Sequence, residues 1–252
     1  MKTRRLQEMA QLIVEKDSMT MEELCGAFNV SMNTIRRDVA ELVRAGKVEK
    51  VYGGVRAVKQ VSALIPYEER YGGSSAAKRA ICAEAAKYVK DGDIVFIDSG
   101  TTTVHLMEAL GDRNLTVITN NIEIILQALE MPSIRLIVLP GELHRNTHSI
   151  TGDASADFLS RFNTNIAFMA ATGVSEGGVT NSSPLEYSIK KTAVEHSERS
   201  VLMVTGNKFG VTSLLTYAHL DQFDLVITDQ RISPQWKKTV QEKGPELIVS
   251  DE

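Results

Sequence analysis

The chain has 252 residues, 43% hydrophobic and 24% charged, the composition of an ordinary globular protein, which excludes a disordered or fibrous one. No stretch approaches the roughly 18 consecutive apolar residues of a membrane span, and charges run through the opening residues where a signal peptide is apolar, so a cytoplasmic location without a membrane partner is expected. The formal net charge of -4 divides unevenly: residues 1–60 hold eleven Lys or Arg against eight Asp or Glu, the other 192 hold seventeen against twenty-four, and a basic head on an acidic body suits local contact with a polyanion.

Leu6, Met9, Ala10, Ile13 and Val14 recur at helical spacing and predict a first amphipathic helix. Thr20 stands three residues before Glu23, the spacing at which hydroxyl and carboxylate satisfy each other's free backbone N–H, and a second helix is predicted over Met21–Phe28, ended by Asn29. Ser31 then caps a third helix whose buried stripe is Ile35, Val39, Leu42 and Val43. The gap from Phe28 to Ser31 leaves room only for a sharp turn, so the two helices cross steeply and the third projects Met32, Asn33, Arg36 and Arg37. Such a helix fits the major groove of DNA, where arginine pairs with guanine edges, asparagine with adenine edges, and arginines near the rim hold phosphates. Asp38 is expected to pair with a neighbouring arginine and orient it. Ala45-Gly46 then turns the chain, residues 47–52 alternate as a strand, and Gly53-Gly54 turns it back into Val55 to Val58. Lys50, Tyr52, Gly53 and Arg56 of this β-wing are placed to lie along the phosphate backbone or in the minor groove. With Ser31, Asn33, Thr34, Arg36 and Arg37 they form the candidate DNA-binding set. The blander alternative is a generic three-helix core solvated by its arginines.

From Gln60 to Ser75 the chain changes character, with Pro66, a Tyr-Glu-Glu-Arg-Tyr run and Gly72-Gly73 reading as a connector. The expected organisation is a winged helix-turn-helix domain over residues 1–58, a linker over 59–75 and an α/β domain over 76–252. In the last, strands at 94–97, 115–118, 134–139, 166–170, 201–205 and 225–229, the last read as central, alternate with helices at 76–90, 105–110, 122–129 and 185–198. That alternation predicts the α/β fold class, a mostly parallel sheet covered on both faces.

Ligands gather where such strands end and helices begin. Asp98 to Thr103 occupy one such edge: Gly100 allows close approach, and Thr101, Thr102 and Thr103 offer hydroxyls beside helix N–H groups, a cradle for phosphate or carboxylate. Thr119 and Asn120 end the next strand, and Lys208 stands at another mouth, where an ammonium neutralises a phosphate. Glu186 and Lys190, one turn apart, read either as an i,i+4 salt bridge or as ligand contacts. Cys25 and Cys82 sit singly, and His144 and His148 fall in a loop after Pro140-Gly141, so no metal site is expected and no cofactor is implied.

The string Val30-Ser31-Met32-Asn33-Thr34-Ile35-Arg36-Arg37-Asp38-Val39, followed by Val51-Tyr52-Gly53-Gly54, resembles the N-terminal signature of the DeoR family of bacterial transcriptional regulators. The likeness continues through Arg70, Lys78, Asp98 to Thr102, Thr119-Asn120, Pro140-Gly141, Gly152, Gly173, Glu186 with Lys190, Lys208-Phe209-Gly210 and Ile227-Thr228-Asp229 into the family's sensor domain. That domain is similar in fold to sugar-phosphate isomerases of the ribose-5-phosphate type. The resemblance implies a repressor of sugar or sugar-alcohol genes whose DNA binding is retuned by a phosphorylated intermediate. The candidate effector-binding set is Arg70, Lys78, Asp98, Ser99, Gly100, Thr101, Thr102, Thr103, Thr119, Asn120, Gly173, Glu186, Lys190 and Lys208. The expected partners are a double-stranded operator, a small phosphorylated carbohydrate or polyol, and further copies of the chain in a dimer or tetramer presenting paired heads. Two positions depart from the family: Glu142 replaces a second glycine after Gly141, and Thr205 stands where an aspartate often precedes the lysine. Two other readings compete. One is a sugar-phosphate isomerase with an attached DNA module, using Asp98 or Glu186 as base; the other is an architectural DNA protein without an effector.

Overall fold

A computed structural model describes residues 2–16, 18–45, 48–57, 61, 62, 67 and 75–251. Expectations placed on Gly46, Lys47, Val58, Pro66, Arg70, Gly72 and Gly73 lie outside the described residues, as does the side chain of Val14. The chain divides into two compact units, residues 1–60 and 61–252.

In the first unit, helix α1 (Lys2–Lys16) is followed by strand β1 (Ser18–Thr20), helices α2 (Met21–Phe28) and α3 (Met32–Arg44), and strands β2 (Val48–Val51) and β3 (Gly54–Ala57). Met9 and Ile13 of α1, Leu24 of α2 and Ile35, Val39 and Leu42 of α3 close a common core with Met19, Val48 and Val55. Thr20 begins α2 as its spacing predicts: its hydroxyl accepts from Glu23 N–H at 3.2 Å, and the Glu23 carboxylate accepts from Thr20 N–H at 2.7 Å. Asn29 ends it in the left-handed conformation, φ 49°. The wing has one strand more than expected. β1 pairs antiparallel with β3, which pairs with β2, and a Cβ at Gly54 would stand 2.2 Å from the Met19 carbonyl oxygen, so only glycine fits this crossing.

The second unit opens with β4 (Val61–Ser62), α4 (Ser75–Ala86), β5 (Ile94–Ile97), α5 (Leu106–Leu110), β6 (Leu115–Thr119), α6 (Ile122–Ala128) and β7 (Ile134–Val138). A hairpin, β8 (Glu142–His144) and β9 (Ser149–Thr151), leads to α7 (Ser155–Leu159), β10 (Thr164–Met169), β11 (Gly173–Ser175), β12 (Gly178–Asn181), α8 (Tyr187–Glu195) and β13 (Ser197–Met203). Then follow β14 (Thr212–Ser213), β15 (Leu215–Ala218), β16 (Leu225–Asp229), α9 (Pro234–Lys243) and β17 (Glu246–Ser250). Seven strands form one sheet in the order β17-β16-β13-β10-β5-β6-β7, every neighbouring pair parallel.

Side chains alternate across that sheet as the pleat requires. Val95 and Ile97 of β5 join an apolar cluster with Ile81 and Ala85 of α4, Leu106 and Leu110 of α5 and Ile124 of α6. Phe96, between them in sequence, joins the opposite cluster with Leu159 of α7, Ile189 and Ala193 of α8 and Val240 of α9. Both faces are therefore covered. Three local expectations need adjustment. β16 lies inside the sheet but second from its edge, with β10 at the middle; the helix predicted over 185–198 stops at Glu195, since Ser197 already pairs with Thr164; and His148 lies in a loop as expected, whereas His144 ends strand β8 of the hairpin. Part of the span expected as linker also packs into this unit: Val61–Ser62 pairs with Thr212–Ser213, and Tyr67 is buried. No helix among the described residues is long and apolar enough to cross a membrane.

Candidate functional site

α3 carries its polar face outward because its apolar stripe is consumed by the core. Ile35, Val39 and Leu42 are buried, whereas Asn33, Arg36 and Arg37 are exposed and hydrogen-bond to no described residue through their side chains. Ser31 and Thr34 are spent differently: the Ser31 hydroxyl accepts from Thr34 N–H at 3.4 Å and lies 3.0 Å from the Thr34 hydroxyl, so this pair fixes the start of the helix. Asp38 is buried and does pair with an arginine, but with Arg5 of α1 at 2.7 Å rather than with Arg36 or Arg37 beside it. That bond ties the outward-facing helix to α1. On the wing, Tyr52 is fully exposed at the turn and Gly53 takes φ 81°, which favours glycine. Lys50 is exposed, while the Arg56 guanidinium sits 2.6 Å from the Glu49 carboxylate across the hairpin.

In the second unit, a polar cavity of about 230 Å³ opens where β5, β10 and β13 end. Lys78, Ser99 to Thr102, Thr147, Ala170 to Thr172, Asn181, Ser182, Glu186, Lys190 and Met203 to Lys208 except Gly206 line it. Three lysines, Lys78, Lys190 and Lys208, and one acidic residue, Glu186, are among these lining residues. Thr101 and Thr102 line the cavity, and their hydroxyls make no hydrogen bond to a described residue. Gly100 is required by closeness, since a Cβ there would lie 2.5 Å from the Cβ of Ala170.

Behind the wall lies a buried charged network. The Asp98 carboxylate accepts from Ser99 N–H at 2.9 Å, from Ala170 N–H at 2.9 Å, and from the Lys190 ammonium, which also donates to the Ala170 carbonyl. Burial pushes the Asp98 carboxyl up, the Lys190 ammonium pulls it back down, and Glu186 adds to the rise. Glu186 accepts from the Ser99 hydroxyl at 2.6 Å and from the Asn181 amide at 3.0 Å. The i,i+4 bridge between Glu186 and Lys190 is therefore not formed; each is claimed by a residue from another element.

Of the expected effector set, Lys78, Ser99, Gly100, Thr101, Thr102, Glu186, Lys190 and Lys208 converge on the cavity. Five do not line it. Asp98 stands behind Lys190; the Thr103 hydroxyl donates to the carbonyls of Asp98 and Gly100; and that of Thr119 donates to Ile97 O at 2.6 Å. Asn120 is fully buried with neither amide atom bonded to a described residue, and Gly173 packs on Val211, whose carbonyl oxygen a Cβ would meet at 2.3 Å. Arg70 lies outside the described residues. Thr147, Asn181 and Ser182 line the cavity without having been singled out; Asn181 ends β12 and Ser182 follows it. Thr205, one of the two family departures, faces the cavity with its hydroxyl bonded to the Asn207 amide oxygen at 2.6 Å, whereas Glu142 lines a separate surface depression.

A model of the DeoR-like helix-turn-helix domain matches residues 5–61, and one of the DeoR C terminal sensor domain matches residues 74–230. The chain is 40% identical over 238 residues to the HTH-type transcriptional regulator IolR of Bacillus subtilis (strain 168), covering 94% of each protein. It is 29% identical over 229 residues to the glycerol-3-phosphate regulon repressor of Escherichia coli (strain K12), 90% of each. With the lactose phosphotransferase system repressor of Staphylococcus epidermidis the identity is 30% over 232 residues, 89% of this chain and 91% of that one. A ribose 5-phosphate isomerase from Methanocaldococcus jannaschii superposes on 52% of the chain and 53% of its own length, with 20% identity and a TM-score of 0.38.

Proposed function

Because the chain belongs to the DeoR family of DNA-binding transcriptional regulators, we propose that it represses a carbohydrate or polyol utilisation operon and releases its operator when a small phosphorylated metabolite fills the cavity. One observation carries this reading: Lys78, Lys208, Thr101 and Thr102 line one confined polar space at the strand ends, where the Glu186 carboxylate is held by Ser99 and Asn181 and Lys190 by Asp98, a setting suited to a phosphate. Two relatives are named as repressors, one of a glycerol-3-phosphate regulon and one of a lactose phosphotransferase system, which favours repression and a phosphorylated ligand. In this reading Arg36, Arg37 and Asn33 enter the major groove, Lys50 and Tyr52 lie along the flanking backbone, and two or four copies in the cytoplasm present paired heads to repeated half-sites.

We read the body as a sensor rather than an isomerase. A general base needs a carboxylate within reach of a carbon-bound proton. Asp98 does not line the cavity and is paired with Lys190, and the Glu186 carboxylate, which does line it, is held by Ser99 and Asn181.

The test has two arms. Replacing Arg36 and Arg37 together by alanine is expected to cost on the order of 2–6 kcal/mol of specific duplex binding, since each good base contact is worth roughly 1–3 kcal/mol. Intact specific binding by the double variant at physiological salt would end this assignment of α3. In the second arm, a thermal-shift screen with sugar and polyol phosphates is expected to find a compound that raises the melting temperature and weakens the DNA complex. Lys208→Ala is expected to lose that shift; a shift unchanged in the variant would remove Lys208 from the phosphate site.

A further inference from the structure

The loop joining β8 to β9 faces two ways. On one side Thr147, buried, lines the polar cavity. Its hydroxyl lies 2.7 Å from that of Ser149. On the other side His148 adopts φ 51°, a left-handed conformation that is costly for a residue with a Cβ and persists where surrounding contacts impose it. Those contacts are specific. The His148 carbonyl accepts from Ile122 N–H at 3.0 Å, its Nδ1 lies 2.8 Å from the Glu123 carboxylate, and its ring stacks on Tyr67 at 4.3 Å with 10° between the planes. Tyr67 is bound to the same loop a second time, its N–H donating to the Asn146 carbonyl at 2.9 Å. In sequence, Tyr67 stands in the stretch through which the chain passes from the head to the body, and it is only 3% exposed.

We propose that this loop is a clasp that couples occupation of the cavity to the connector. The Thr147 hydroxyl has one proton, within reach of the His144 carbonyl at 3.4 Å and of the Ser149 hydroxyl, so an anion that takes that proton competes with both loop partners. That shifts the loop toward the cavity, opens the stack of His148 on Tyr67 and releases Tyr67 from the loop. The proposal rests on the reading of the cavity as the effector pocket. Neither Tyr67, His148 nor Glu123 lines the cavity, so these are positioning residues, and their loss leaves anion binding in place while disconnecting it from DNA release.

The full-length chain tests this with inorganic phosphate as probe and a duplex selected from a random pool by the wild-type protein. Phosphate binding is followed by calorimetry, and duplex affinity is measured with and without phosphate. In the wild type, phosphate is expected to weaken the duplex complex about tenfold, within the usual range of coupling between sites. Tyr67→Ala and His148→Gly are expected to bind phosphate normally yet show less than about twofold coupling. Tyr67→Phe, which keeps the ring, behaves as the wild type. His148→Gly removes the stack without straining the left-handed backbone and carries the test alone if Tyr67→Ala fails to fold. Variants that bind phosphate and still release DNA tenfold overturn the clasp and leave the pocket standing. Phosphate that binds the wild type without weakening its DNA complex overturns the clasp too. No phosphate binding by the wild type overturns the pocket reading, and the clasp with it.

Discussion

Lys190 and Asp98 are 92 residues apart and meet in the interior with side chains 2% and 0% exposed. An ion pair so placed is not free stability, because both charges were stripped of water; its weight appears when one partner is removed and the other stays buried and charged. Lys190→Met is therefore expected to cost the second unit about 3–5 kcal/mol in urea unfolding, and Asp98→Asn added to it to restore part of that loss. If the double variant were no more stable than the single one, the pair would not be what holds this wall. Its partners were not legible in sequence: Glu186 and Lys190 share a helical turn, so spacing offers them to each other, and only the fold reveals that β5 delivers Asp98 to Lys190. The threonines were easier to find, since hydroxyls after a strand and a glycine are a local pattern, yet Thr103 turns back onto its own backbone. Nothing in a run of three threonines distinguishes the two that face a cavity from the one that does not.

At the level of elements, α2 and α3 were readable because their ends are chemically marked, by Thr20 with Glu23 and by Ser31. The cap at Thr20 makes a prediction: Thr20→Ala removes the acceptor for Glu23 N–H and should lower the stability of the first unit by about 1 kcal/mol, seen as an earlier transition in its thermal unfolding. An unchanged transition would mean that water replaces the cap at no cost. The buried strands β5, β6 and β10, and the edge strand β7, announced themselves as short apolar runs. β1 did not, because of its three residues only Met19 is buried and a single apolar position has no period. α9 escaped for a similar reason: Lys237, Lys238 and Lys243 crowd a helix in which Val240 alone is fully buried. The hairpin at 142–151 was obscured by its polar composition, which reads as loop.

For the molecule as a whole, the partition of charge was legible from counting alone and remains the reason the two units can serve different partners. Seven basic residues against three acidic ones lie between Ser31 and Lys59. Duplex binding should therefore fall linearly in log affinity against log salt, with a slope of about -0.9 for each phosphate contacted, and a variant lacking one phosphate-holding arginine should lose about one from that slope. Affinity indifferent to salt would contradict contact through this basic head. The order of assembly follows from the sheet. β5 cannot pair with its neighbour β10 until the ribosome has passed Met169, whereas every strand of the wing has been made by Ala57. At roughly 5–20 residues per second the intervening chain takes on the order of ten seconds to synthesise, and each newborn polypeptide spends that interval with a finished N-terminal module ahead of a centre still waiting to close.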